Sequence, residues 1–148
     1  MRIEEVDRER FLMKVAEIRY RNQDIREAHE FGCKNIRDCY ERADRHFARY
    51  FVGYEDETPV LTVMLQLNRY IVFFISKDVE KPIRLVRGLR RFARKMTRHC
   101  APIITKTANW YDQAIRLNKL VGFVPWVIRD GYSLWVFGSD LEERRRLP

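Results

Sequence analysis

Apolar residues change their spacing several times along this chain, and each change marks an element. Arg2 to Val6 reads as a short strand. Behind Asp7 and Glu9, residues Phe11, Leu12, Val15, Ala16 and Ile18 recur at helical spacing, which predicts a helix to about Arg19. A second helix is predicted from Asp24 to Phe31, ended by Gly32 in a left-handed cap, and a third from Ile36 to about Phe47. The pattern then turns strand-like. Phe51 to Tyr54, a polar turn at Glu55 to Thr58, and Val60 to Leu67 form a predicted hairpin, with Leu61, Val63, Leu65 and Leu67 on one face. After a turn at Asn68 and Arg69, Tyr70 to Ile75 is apolar on both faces, which predicts a central strand covered on each side.

Pro82 suits a first helical position, and Leu85, Val86, Leu89, Phe92, Ala93 and Met96 follow as an apolar stripe. The opposite face carries Arg84, Arg87, Arg91, Arg94, Lys95 and Arg98. Ile103 to Lys106 is a predicted strand, Trp110 to Leu120 a helix, and Val124 to Ile128 a strand that Asp130 and Gly131 turn into Tyr132 to Phe137. No linker or repeat divides residues 1–138, which read as one α/β domain; the tail SDLEERRRLP, residues 139–148, is polar.

Composition narrows the class. At 148 residues, 46% hydrophobic and 34% charged, the chain has material for a single full core. Its longest apolar runs fall short of the roughly 18 to 20 residues that cross a bilayer, and MRIEEVDRER lacks an apolar signal core, so a soluble, non-exported protein is predicted. Three cysteines, Cys33, Cys39 and Cys100, close no disulfide framework, and with His46 they fit no zinc spacing; no metal is assigned. The net charge of +8 comes from 29 basic residues, mostly arginine, and favours an anionic partner such as nucleic acid, a phosphorylated cofactor or an acidic surface. A well-solvated surface explains the charge equally well.

The order of elements, with AIRLNKLVGF at residues 114–123 before the last hairpin, resembles the GNAT N-acetyltransferase superfamily. Gly122 and Phe123 match the Gly-Phe that ends the last helix there. The resemblance implies a mixed sheet of about six or seven strands flanked by helices, with a splay between Tyr70–Ile75 and Ile103–Lys106 that holds acetyl-CoA. A narrower resemblance lies in EIRYRNQDIREAHEFG, residues 17–32. Its Arg, Asp-x-x-Glu and Gly pattern is similar to that of small GNAT-like internal virion or head-assembly proteins of short-tailed bacteriophages. In those proteins a short aromatic strand then leads into a basic helix, as FFISKDVEKPIRLVRGLRRFARKM does here.

The catalytic pattern of the superfamily is degraded at three places. Its pyrophosphate loop, Arg/Gln-x-x-Gly-x-Gly/Ala, lets backbone amides close around phosphate at a helix N-terminus. Here the stretch is Lys81 to Gly88: Pro82 removes an amide donor and Gly88 falls inside the helix. Lys77, Lys81, Arg84 and Arg87, with Gly88, remain as cofactor-binding candidates if acetyl-CoA binds. The central strand offers no carboxylate base, and Asp78 and Glu80 follow it. Asn118 stands where the acidic tyrosine is expected and has no proton to donate near a thiolate pKa, although its amide could hydrogen-bond sulfur. Tyr132 is a second weak catalytic candidate, with packing in the final strand pair as its simpler role.

Such departures suit a fold retained for another task. The leading expectation is a GNAT-fold phage protein of virion assembly, the internal virion or DNA ejection, with weak or no acetyltransferase activity and phage structural proteins as partners, in the host cytoplasm or the virion. The alternative is an active acetyl-CoA-dependent N-acetyltransferase. A third reading is a nucleic-acid-binding module that uses Arg84, Arg87, Arg91 and Arg94.

Overall fold

The computed structural model describes residues 1–43, 47–97 and 102–138. Among them lie five helices and seven strands, and the chain forms two compact units, Met1–Leu85 and Val86–Pro148. The fold is α/β, with two antiparallel sheets of four and three strands. His46, Arg98, Cys100 and the polar tail 139–148 lie outside the described residues.

The first unit begins with β1 (Arg2–Val6) and three helices, α1 (Arg8–Glu17), α2 (Asn22–Glu30) and α3 (Ile36–Ala43). Asp7 starts α1 by accepting the amide of Arg10 at 2.8 Å. Gly32 ends α2 at φ +87°, and the Cys33 amide reaches back to the carbonyl of Ala28, the closing bond of a left-handed helix stop. The expected extension of α3 to Phe47 does not hold at that residue, which has φ +60° and is exposed.

β2 (Arg49–Glu55), β3 (Thr58–Leu65) and β4 (Ile71–Ile75) complete the sheet in the order β1-β2-β3-β4. Leu67 was expected on the buried face of β3. It instead lies in the turn to β4 and is 72% exposed, because the strand stops at Leu65 and Gln66 turns back to the carbonyl of Tyr70. β4, expected as a central strand, is the last strand of its sheet. Apolar residues on both faces report that both faces are covered; they say nothing about which neighbours share the hydrogen bonds. A β-bulge between Gly53 and Tyr54 occurs where a Cβ on Gly53 would sit 2.9 Å from that of Leu61.

The core on the helical side of this sheet is aromatic. Phe11 packs edge-on to Tyr40, with centroids 4.7 Å apart, and Tyr40 packs edge-on to Phe74 at 5.6 Å. The Tyr40 hydroxyl donates to the carbonyl of Thr62 at 2.9 Å, and the Thr62 hydroxyl is shared by Tyr40 and Tyr20. The buried phenols of Tyr20 and Tyr40 thus have their partners, whereas the buried hydroxyl of Tyr54 has none among the described residues.

The second unit holds most of α4 (Pro82–Thr97), then β5 (Ile103–Ala108), α5 (Asp112–Val121), β6 (Val124–Ile128) and β7 (Tyr132–Phe137). Its sheet has the order β5-β7-β6. The strands of the expected splay, β4 and β5, thus belong to different sheets. α5 starts two residues later than expected, because Trp110 and Tyr111 stack face to face, 5.2 Å apart and 11° from parallel, ahead of the helix.

Candidate functional site

The first turn of α4 is a place where the cofactor-binding candidates Lys81 and Arg84 meet the helix-start amides. Amides ahead of a helix have no intrahelical acceptor and lie at the positive end of the helix dipole. Pro82 contributes none, so the donors fall to the residues before it. Two are already occupied. The carboxylate of Glu55 accepts the amide of Glu80 at 3.0 Å and that of Lys81 at 2.7 Å. Glu55 ends β2 at the tip of the hairpin whose turn holds Asp56 at φ +53°. Tyr54 belongs to the aromatic core, so strand alternation sends the Glu55 side chain to the other face. The carbonyl of Lys81 then accepts the amides of Arg84 and Leu85 and opens the helix.

Of the charged side chains around this turn, Asp78 is also engaged. Asp78 accepts Arg19 at 3.0 Å and caps its own loop, its amide donating to the Ser76 hydroxyl. Lys77 gives its amide to the carbonyl of Arg19 and lines a shallow groove with Ala16 of α1, Tyr20 of the segment that follows it and Ile25 of α2. Lys81 and Arg84 extend into solvent.

In the second unit, Asn118 is one of the most deeply buried side chains, 1% exposed. Its amide nitrogen donates to the hydroxyl of Thr107 on β5 at 2.9 Å, and Thr107 is itself buried. The Asn118 carbonyl receives the amides of Gly122 and Phe123, at 3.1 and 2.9 Å. Gly122 adopts φ +118°, and a Cβ there would lie 2.9 Å from Cε2 of Phe137. The segment AIRLNKLVGF therefore stops a helix against β7 and ties it to β5. Tyr132 opens β7, half-buried, with the ammonium of Lys106 4.5 Å above its ring. Within α4, Gly88 is buried, Arg87 is exposed and Arg90 donates to the carbonyl of Leu120.

No buried group is poised as a base or nucleophile among those whose titration is displaced. Burial pushes the phenols of Tyr20 and Tyr40 up, and both stay protonated. Burial, with the neighbouring Cys33, pushes the Cys39 thiol up, away from the thiolate that would react. Among the described residues no three His, Cys, Asp or Glu side chains converge as metal ligands, and no helix is long and apolar enough to cross a membrane.

No family model matches the sequence, and no curated protein does. Solved structures do. The aminoglycoside N(6')acetyltransferase of Legionella pneumophila superposes with a TM-score of 0.63 at 11% identity, over 99% of this chain and 95% of its own. The GNAT domain of S. lividans PAT gives 0.62 at 9% identity, over 91% and 88%. The ribosomal-protein-S18-alanine N-acetyltransferase of Escherichia coli gives 0.59 at 13%, over 92% of each chain. The chain has the GNAT fold.

At these identities the likeness is one of fold. Asn118, expected where the acidic tyrosine would stand, is a buried side chain bonded to Thr107, a partner that spacing does not reveal. The proposed cofactor-binding residues fall on both sides of the unit boundary, Lys77, Lys81 and Arg84 in one unit and Arg87 and Gly88 in the other. Glu55 escaped sequence reasoning altogether, because a Glu-Asp-Glu turn is an ordinary hairpin tip and its amide partners lie 25 and 26 residues away.

Proposed function

We propose that the chain is a GNAT-fold protein that no longer serves acetyl transfer and works as an assembly or internal component of a short-tailed bacteriophage virion, with phage structural proteins as its partners. The observation that carries the non-catalytic half is the Glu55 carboxylate on the amides of Glu80 and Lys81. A pyrophosphate arriving at α4 would have to displace an anion of its own sign from those donors. Asn118 supports the same reading, since its amide nitrogen is committed to Thr107 and its side chain holds no dissociable proton.

The phage half rests on the resemblance of residues 17–32 and of the basic helix. The shared residues are well used in the fold: Asp24 is 3% exposed and paired with Arg21 at 3.1 Å, and Gly32 supplies the left-handed stop. Asp24 therefore fixes the entry to α2 and has no free carboxylate to offer a substrate amine.

The competing reading is an active N-acetyltransferase that grips acetyl-CoA through Lys77, Lys81, Arg84 and Arg87. Structural neighbours named as acetyltransferases favour it. Calorimetry with acetyl-CoA separates the two, run on the wild type and on Glu55→Ala. Neither protein is expected to bind below the millimolar range, because removing Glu55 restores two amides and not the missing glycines. Submicromolar binding by either would overturn the non-catalytic reading. For the virion, a phage that encodes a tagged copy of this chain should retain the tag in purified particles; particles without it would refute that assignment.

A further inference from the structure

The described part of α4 carries Arg87, Arg90, Arg91, Arg94 and Lys95 around one shallow surface depression. From Arg87 to Lys95 this surface runs about 12 Å along the helix, at 1.5 Å per residue. Arg90 is drawn aside to the carbonyl of Leu120. The other four are exposed, and among the described residues none has a carboxylate partner. Residues 82–97 contain no Asp or Glu at all. Four like charges within two and a half turns repel one another, and an isolated helix surface gains nothing from keeping them together.

We infer that this face of α4 binds the sugar-phosphate backbone of duplex nucleic acid, independently of any binding of acetyl-CoA. Three features select that occupant. Arginine predominates, and a guanidinium grips phosphate with paired hydrogen bonds that an ammonium cannot make. The face has no exposed aromatic side chain on which unpaired bases would stack, which disfavours single strands. None of the exposed large hydrophobic residues lies between Arg87 and Lys95, so nothing there would anchor in a lipid surface. Binding of this kind is sequence-independent and salt-dependent.

The test is fluorescence anisotropy of the full chain with a labelled 20-base-pair DNA duplex, titrated at several salt concentrations. Three or four phosphate contacts predict a slope of log K on log salt of about −3 to −4, so affinity should fall roughly a hundredfold between 50 and 200 mM salt. The double variant Arg91→Glu/Arg94→Glu should lose affinity at least tenfold and flatten the slope by about two. The control is Arg26→Glu/Arg37→Glu, which makes the same change in net charge on α2 and α3; it should bind nearly as the wild type does. Circular dichroism of each variant checks that the fold is kept, and Arg91→Gln/Arg94→Gln repeats the test without introducing acid. Equal losses in the α4 variant and the control would show that only net charge matters and would overturn the inference. So would absence of binding at 50 mM salt, or tighter binding to vesicles of phosphatidylserine or to polyglutamate than to the duplex.

Discussion

Arginine is used in two opposite ways in the two halves of this molecule. Residues 1–85 hold 16 basic and 16 acidic residues, whereas residues 86–148 hold 13 and 5, so the whole net charge of +8 belongs to the second part. In the first unit Arg2, Arg19, Arg21, Arg26, Arg37, Arg42 and Arg49, among the described residues, lie within ion-pair distance of a carboxylate. On α4 of the second, the exposed cations have none among the described residues. The same side chain thus completes a network inside one unit and, among the described residues, stands exposed without a carboxylate in the other. Charge count alone would have called both regions surface.

The sharpest way to break this contrast is at its buried pair. Arg21→Ala leaves the Asp24 carboxylate buried without its guanidinium and should cost roughly 3 kcal/mol, the low end for a broken buried pair because Arg21 is itself partly exposed. Urea unfolding measures it; a loss below half of that would place the pair with ordinary surface contacts. Asn118→Ala comes next, at about 2 kcal/mol, since it empties buried volume and strips Thr107 of its donor. Asn118→Tyr should cost a similar amount by overpacking, and no increase in thiol release from acetyl-CoA should accompany it. A clear rise in turnover would mean that a bound thioester had been waiting for an acid.

Smaller effects distinguish the two kinds of exposed arginine by sign. Arg37→Ala removes an i,i+4 pair with Glu41 and should destabilise by about 0.3 to 0.5 kcal/mol. Arg91→Ala relieves repulsion on α4 and should be neutral or stabilising by a similar amount. If both changes destabilise equally, the unpaired character of the α4 face has no energetic meaning. The last difference appears in acid. Asp38 is held below the usual carboxylate range, first by the amide of Lys34 and then by Arg42. A depressed folded pKa means that its stabilisation is complete above the ordinary Asp range and fades as pH falls through that range and below it. Amide-exchange protection in α3, taken relative to the intrinsic rate at each pH, should therefore fall in acid, the change should be blunted in Asp38→Asn, and α4, which has no carboxylates, should not follow.

Much of the fold was legible because its signals are local. Period-two and helical spacing gave β1, β6 and β7 to the residue and the start of α4 at Pro82, and Gly32, Gly131 and Gly122 sit in the left-handed conformations that their positions require. The rank of β4 within its sheet was not legible, since strand neighbours are fixed by hydrogen bonds between distant segments. The site divides in the same way. Asn118 stood out because it interrupts a known wording, and Pro82 because proline removes a donor. The Glu55 contact spans a hairpin, a strand and a loop, and no spacing rule joins its residues. Pairs such as Arg26 with Glu30 are readable from their interval, whereas Arg49 with Glu5 requires the register of β1 on β2.

The stop at the end of α5 has a consequence for how such chains are found and classified. Gly122 is required by its left-handed backbone and by the ring of Phe137 pressed against it, and both demands persist whatever the protein does with a substrate. The Phe123 amide closes on the Asn118 carbonyl, a bond that any residue at position 118 would supply. Selection for folding alone would preserve the wording LVGF after every catalytic proton had gone. A search keyed to that wording counts helix endings, and the ancestry it reports carries no information about turnover.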